Sequence, residues 1–443
     1  MKSLPSYKQI WQIAWPLMIG LIAENVVGAI DTMFLGHVGE LELAASAMAG
    51  TFYIILFVVG MGFGVGTQIL VSRRNGEENY KPIGAIVENS LYFVWLFSAI
   101  TIILAFMFAK PVLSFVISSE AITEATLRFF NIRVFTLFFS LGCVMMRSFF
   151  VGIQFTKYIG IGAFVIAGTN FVLDYVMIFG KFGFPKMGLE GAALASVLAE
   201  VAGFIYFVII IIRKVDLNKY DLFRFKKPQL QIARNTFNLS VYTMLQNLVS
   251  LISGFLFFVI IEKTGERNLA VTNIVRSFYI LIITPVWAYN SAVSTIVSNA
   301  IGAGQRRYVF PIIWRVTVFG VGTTILIFGL SACFPVSILR LYTADMSLIQ
   351  IGLNGVYIVA LANVVYGFTG IAFSAVSATG NTNIAMGIEL IAVAFYIVAI
   401  YLLAFNFAER ISLVWFSEIV YYVMLGIGSF IYLSTKHWTK KEI

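Results

Sequence analysis

Apolar stretches of about 17–25 residues, long enough for a helix to cross a bilayer, recur along the whole chain and are broken only by short polar connections. They predict twelve membrane spans, at about 10–36, 45–71, 86–109, 127–151, 159–180, 190–212, 236–261, 270–299, 310–333, 351–377, 384–406 and 412–434. The longest connection, Arg213–Arg234, carries Arg213, Lys214, Lys219, Arg224, Lys226, Lys227 and Arg234. It divides the chain into an N-terminal six-helix lobe (1–213), a basic linker (214–234) and a C-terminal six-helix lobe (235–443).

Composition agrees. Of 443 residues 60% are hydrophobic and 12% charged, with a mean hydropathy of +0.92, whereas soluble domains carry roughly 25% charged residues. That excludes a soluble enzyme with a single anchor. The formal charge of +9 does not point to nucleic acid. Its lysines and arginines gather in every second loop, the positive-inside pattern, and the 42 Phe and 20 Tyr are scattered through apolar runs without forming a basic aromatic platform. The pattern predicts a cytoplasmic N-terminus, and an even number of spans returns the C-terminus to the same side. Lys2 and Lys8 precede an apolar run that continues past the length of a signal peptide with no small-residue cleavage site, so it reads as a retained first span. Cys143 and Cys333 lie far apart in apolar segments, and His37 and His437 sit near segment ends. These spacings give neither a disulfide nor a metal constellation.

The halves resemble each other. A shift of 228 residues lays Gly66–Tyr80 on Ser294–Tyr308, matching Thr67 with Thr295, Gly76 with Gly304 and Tyr80 with Tyr308; a shift of 226 lays Thr156 on Thr382. Six spans per half makes the repeats parallel, related by a pseudo-two-fold along the membrane normal. Transporters built this way hold substrate between the halves and alternate access.

Two carboxylates stand where a span tolerates them poorly. Asp31 and Asp174 lie in otherwise apolar runs, and a charge near the bilayer centre costs at least ~2.5–3.5 kcal/mol on insertion scales. Pro16, fifteen residues before Asp31, predicts a bend in the first helix, and Glu24, two turns before Asp31, shares its face. Asn170 and Asp174 are four apart, hence on one face of the fifth span. An amide oxygen and a carboxylate there suit Na⁺, and a buried acid also suits a proton; a polar clamp between helices is the structural alternative. Glu200, Glu389 and Glu418 are further intramembrane acids that line a cavity or pair with Arg147 and Arg276. Glu88 lies close enough to a span boundary to snorkel. Gly60, Gly62, Gly64 and Gly66 mark close helix approach, and Pro285 a second bend. No nucleophile elbow, phosphate loop or zinc signature is present, so the chain does not read as an enzyme.

These features resemble the multidrug and toxic compound extrusion (MATE) family. The likeness rests on Trp15-Pro16 followed by Asp31–Gly36 (DTMFLG), on Gly39–Ala44 (GELELA), and on Arg147–Lys157 (RSFFVGIQFTK). It also rests on Asn170–Asp174 (NFVLD) followed by Phe184-Pro185 and Gly188–Ala193 (GLEGAA), and on Ala292–Val297 and Gly302–Gln305 in the second half. The resemblance implies a V-shaped pair of six-helix bundles in the cytoplasmic membrane. It implies export of small organic, often cationic, compounds in exchange for H⁺ or Na⁺, without other cofactors. It makes Pro16 the hinge of helix one, Asp31 its coupling acid, and Asn170 and Asp174 the N-lobe proton or cation site. Where some relatives add a tyrosine and a threonine this chain has Val27 and Ala192, and Gln246 and Asn247 stand in the seventh span instead of an acid. That departure places it with the DinF-like and archaeal branch and favours protons over Na⁺. Each chain carries both lobes, which suits a functional monomer. The rival readings are a lipid-linked precursor flippase or polysaccharide exporter of the same superfamily, a membrane-embedded transferase, and a channel.

Overall fold

A computed structural model describes residues 4–435 and 437–440. Its helices are α1 (Tyr7–Gly36), α2 (Glu40–Gly76), α3 (Pro82–Val116), α4 (Glu120–Arg133), α5 (Thr136–Gly152), α6 (Lys157–Phe179), α7 (Gly188–Lys214) and the single turn α8 (Leu217–Tyr220). There follow α9 (Leu230–Glu262), α10 (Glu266–Gly302), α11 (Val309–Cys333), the short α12 (Pro335–Arg340), α13 (Met346–Ala378), α14 (Thr382–Asn406) and α15 (Phe416–Ser434). Among the described residues there is no strand. In lipid this is the expected outcome, because a helix satisfies its own backbone polar groups.

Among the described residues eleven helices are long and apolar enough to span, and twelve spans result when α4 and α5 count as one. The two are bent by 44°, where the hydrophobic run predicts an unbroken helix over 127–151. The break needs no proline. Phe135 N donates to Ile132 O (3.2 Å), Leu137 N to Val134 O (3.1 Å) and Phe138 N to Phe135 O (3.2 Å), a tightened turn that swaps i−4 for i−3 bonding. It leaves Arg133 at the C-terminal end of α4, the end of a helix that favours a cation. The repeat is visible in element lengths: α2 and α10 both have 37 residues, α1 and α9 have 30 and 33, and α6 and α14 have 23 and 25.

The chain forms two compact units, Trp15–Met244, and Leu245–Ile443 together with Met1–Ala14. The first has a core in which Phe34, Ala45, Phe129, Leu137, Ile178 and Leu189 pack α1, α2, α4, α5, α6 and α7 together. In the second, Val271, Phe278, Val356, Tyr396 and Trp415 belong to one such cluster. The division therefore falls inside α9, rather than in the basic linker where connection length places it. The linker and the start of α9 are tied to the first unit by specific bonds. Arg224 N donates to Glu88 Oε1 (2.8 Å) and Gln229 N to Asn89 Oδ1 (2.8 Å). Ser240 Oγ donates to Phe63 O (3.2 Å) and Thr243 Oγ1 to Gly62 O (2.7 Å). The beginning of α1 belongs to the second unit: Arg315 Nη1 donates to Pro5 O (2.7 Å), and Tyr7 meets Phe319 edge-on.

Glu88 thus does not snorkel. It is buried and holds the linker. A hydrogen bond to a charged group is worth about 1.5–3 kcal/mol, so Glu88→Ala is expected to speed tryptic cleavage at Arg224 and Lys226 by roughly tenfold or more. Limited proteolysis of the purified variant checks this; unchanged cleavage would show the linker to be held elsewhere. Within the linker, the Lys226 ammonium (2.6 Å) and the Arg224 guanidinium (3.1 Å) bond to Asp221 and hold its carboxyl below the usual carboxylate range. Those pairs persist until the pH falls through that depressed value.

Candidate functional site

Residues of the first unit converge on Asp31. Near one end, α1 and α6 approach closely: a Cβ on Gly160 would come within 3.3 Å of Pro16 O. Further along, Phe34 packs against Phe171 and Phe179, and between these contacts α1 turns Asp31 toward α6. Asn170 and Asp174, one turn apart on α6, are buried at 1% and 0% exposure. In the orientation that satisfies its amide, Asn170 donates to Asp31 Oδ1 at 3.0 Å and to Asp174 Oδ2 at 3.3 Å. The two carboxyls are in hydrogen-bonding reach of each other. Two ionised carboxylates are acceptors only and cannot bond directly, so that contact is one a shared proton completes. Asp174 Oδ1 is buried with no hydrogen-bond partner among the described residues. Spacing predicts the pair Asn170 and Asp174, the family resemblance implies Asp31 as the coupling acid beside them, and the structure brings all three together.

The two arginines of the broken span lie in the same unit. Arg133 Nη1 stands 3.9 Å from Asp31 Oδ2, with its guanidinium carbon 5.2 Å from the centre of the Tyr53 ring. Tyr53 OH and Ser140 Oγ are 3.0 Å apart. Arg147 forms a close ion pair with Glu24 and also acts electrostatically on Glu200 of α7, which engages the Cys143 thiol. Glu24 therefore has its own partner and is not part of the Asp31 cluster by direct bonding. Sequence reasoning missed Arg133, Tyr53 and Ser140. The one available signal was a cation left inside a predicted span.

Pro16 does not interrupt α1, which runs continuously from Tyr7 to Gly36. The proline lies instead beside the point, between Ala14 and Trp15, where α1 passes from one unit to the other.

The remaining acids belong to the second unit. Glu389 accepts from Ser250 Oγ (2.7 Å) and Tyr421 OH (2.6 Å). Glu418 accepts from Tyr279 OH (3.0 Å) and Tyr396 OH (2.8 Å), and Tyr279 also bonds closely to Tyr422. Both glutamates are buried and supplied with hydroxyl partners from neighbouring helices, as buried polar groups require. Arg276 does not bridge them; it stacks over Phe258 at 4.4 Å, within electrostatic range of Glu418. Among the described residues no three His, Cys, Asp or Glu side chains are grouped to hold a metal ion.

The MatE family model matches residues 16–176 and 243–402. This chain belongs to the MatE family. The two matched segments begin 227 residues apart (243 against 16), in agreement with the repeat shift of 226–228. The first MatE segment carries Pro16, Asp31, Asn170 and Asp174. Among MATE relatives, a probable multidrug resistance protein NorM of Thermotoga maritima is 25% identical over 399 residues, covering 87% of this chain and 83% of that protein. The multidrug export protein MepA of Staphylococcus aureus is 23% identical over 274 residues, covering 60% and 58%. A crystal structure of a mutant of the Vibrio cholerae MATE transporter VcmN superposes with a TM-score of 0.90 at 17% identity over 98% of each chain. A MOP superfamily transporter from Pyrococcus furiosus gives 0.88 at 16% identity over 98% and 97%. At such identities the structural likeness shows the fold: a MATE protein with twelve spans in two lobes.

Proposed function

We propose that this MATE protein is an antiporter that exports small organic cations across the cytoplasmic membrane in exchange for protons taken up at Asp31 and Asp174. The multidrug resistance and export proteins among its relatives support export of drugs, and the acid pair supports a cationic one. One observation carries the choice of ion. With both carboxylates ionised or sharing a proton, the Asn170 amide satisfies its hydrogen bonds only in the orientation that presents its NH₂ group to Asp31 and Asp174. A donor between two acids suits a pair that gains and loses a proton, whereas Na⁺ wants oxygen ligands on every side. In this reading both termini and the basic linker are cytoplasmic, as the distribution of Lys and Arg requires, and the functional unit is one chain.

Exchange follows if protons and cation favour different states of one site. Ionised, Asp31 and Asp174 attract the exported cation. Protonated from the outer side, they release it, and α1 re-aims Asp31 by bending near Pro16, where it changes unit. Deprotonation to the cytoplasm resets the site. The test is ethidium transport by the purified protein in liposomes, under an imposed pH gradient or an imposed Na⁺ gradient. A pH gradient alone should drive transport. Transport that runs on a Na⁺ gradient at equal pH, and not on a pH gradient, would reject proton coupling.

A further inference from the structure

We infer that Arg133 is a resident positive charge of the binding pocket that sets the valence of the exported molecule, matching the site to a monovalent cation. The inference rests on the acid-pair reading above and adds to it a residue on another helix and a constraint on substrate.

Arg133 is placed as a charge rather than as a clamp. A structural arginine–carboxylate pair closes to about 2.7–2.9 Å, often with two parallel bonds. Arg147 makes such a contact with Glu24, but Arg133 stays 3.9 Å from Asp31, and its Nη1 is buried without a hydrogen-bond partner among the described residues. An unpartnered buried guanidinium nitrogen costs free energy, and the fold holds it in place nonetheless. The bend after Val134 leaves Arg133 at the end of α4, Tyr53 packs its ring under the guanidinium, and Ser140 fixes the Tyr53 hydroxyl. The unpartnered Asp174 Oδ1 belongs to the same cluster. One cationic and one anionic group are thus both left unsatisfied beside the acid pair.

The charge count gives the consequence. Two ionised carboxylates against one guanidinium leave one net negative charge, which a monocation neutralises and a dication overshoots. One proton makes the cluster neutral, and a second makes it positive, so that proton loading turns attraction into repulsion. The surrounding helices do not upset this count. Glu24 and Arg147 neutralise each other, and Arg128 of α4 faces Glu190 of α7 at 3.5 Å. Tyr53 and Cys143 are uncharged at neutral pH by their ordinary values. Glu200 faces Arg147, the Cys143 thiol and, within electrostatic range, Arg133 itself; with one carboxylate oxygen buried and unpartnered, it enters the count in its neutral form.

The test is fluorescence binding of a monovalent probe (ethidium) and a divalent one (the propyl-diethylmethylammonium analogue propidium) to the purified full chain at one alkaline pH, for wild type, Arg133→Gln, Arg133→Lys and Asp31→Asn. Wild type should prefer ethidium. In Arg133→Gln the affinity ratio should move toward propidium by roughly tenfold or more, since unit charges a few ångströms apart interact strongly in a partly buried site. Arg133→Lys, which keeps the charge and loses the fork, should retain the wild-type ratio. An unchanged ratio in Arg133→Gln overturns the inference. So does an equal shift in Arg133→Lys, because shape rather than charge would then matter. Asp31→Asn separates the two ideas. If it binds both probes as wild type does, the acid-pair reading fails. If it weakens binding while Arg133→Gln keeps the wild-type ratio, only the role of Arg133 fails.

Discussion

Asp31→Asn is expected to abolish export driven by a pH gradient while leaving the protein folded. The substitution keeps the shape of the side chain and removes only its ability to exchange a proton. Asp31 and its neighbour Arg133 are both partly exposed, with 20% and 21% of their side chains accessible, so the replacement strands no fully buried charge. Asn170 can still donate to the oxygen that replaces Oδ1. What disappears is linkage. When two ligands compete for one site, each changes the affinity of the other, and couplings of about 1–3 kcal/mol, or 5–150-fold, are usual. Wild type should therefore bind ethidium more weakly as the pH falls, by a factor in that range, and Asp31→Asn should show a nearly flat profile with reduced affinity. Asp174→Asn should lose the same dependence and also lose stability, because Asp174 is fully buried and its amide would need a new partner for an NH₂ group. Parallel melting curves and binding titrations over pH separate the two effects. A steep pH dependence surviving in both variants would place the coupling proton elsewhere, and the buried Glu389 and Glu418 of the second unit would become the next groups to replace.

Much of this site is legible in the sequence because lipid makes charge conspicuous. An aspartate in a soluble chain says little, but Asp31 and Asp174 inside apolar runs must be compensated, and the four-residue step from Asn170 to Asp174 fixes them on one face of a helix. The repeat is legible for a similar reason: short loops with glycine and tyrosine at matching positions punctuate both halves. Other features depend on which helices face each other, and no local pattern encodes that. Tyr53 and Ser140 are ordinary residues for a span until α2 and α5 meet. The bend after Val134 has neither proline nor glycine to announce it. The linker joins the first unit through two side chains of α3, Glu88 and Asn89, that catch backbone groups far along the chain. Glu24, Glu200, Glu389 and Glu418 look equivalent as isolated acids, yet the fold gives Glu24 an arginine, sets Glu200 beside a thiol, and surrounds the other two with tyrosines and a serine.

The glycines of α2 lead to the largest stability effect. Their spacing predicts close packing, and the structure shows that the four positions differ in kind. A Cβ on Gly60 would meet the side chain of Leu141 at 2.6 Å, and one on Gly64 the side chain of Val144 at 2.5 Å; a rotamer change can relieve such contacts in part. On Gly62 the Cβ would lie 2.6 Å from the Cα of Met244 and 2.7 Å from its backbone nitrogen, and a backbone cannot step aside without moving α9. Moving α9 would also strain the bonds from Thr243 to Gly62 O and from Ser240 to Phe63 O. In membranes each such bond contributes about 0.6 kcal/mol, and overpacking of a tight core costs typically about 1–3 kcal/mol. Gly62→Ala should therefore destabilise the protein by about 2–4 kcal/mol, the sum of those contributions. Gly254→Ala in the same helix α9 is the matched control. Nothing lies within 4 Å of its added Cβ, so it should be neutral or should stabilise by about 0.4–1 kcal/mol through loss of unfolded-state freedom. Thermal melting of the two variants in one detergent decides the matter. If Gly62→Ala melted together with Gly254→Ala, the α2–α9 approach would be looser than the structure shows, and the grouping of the start of α9 with the first unit would lose its main support.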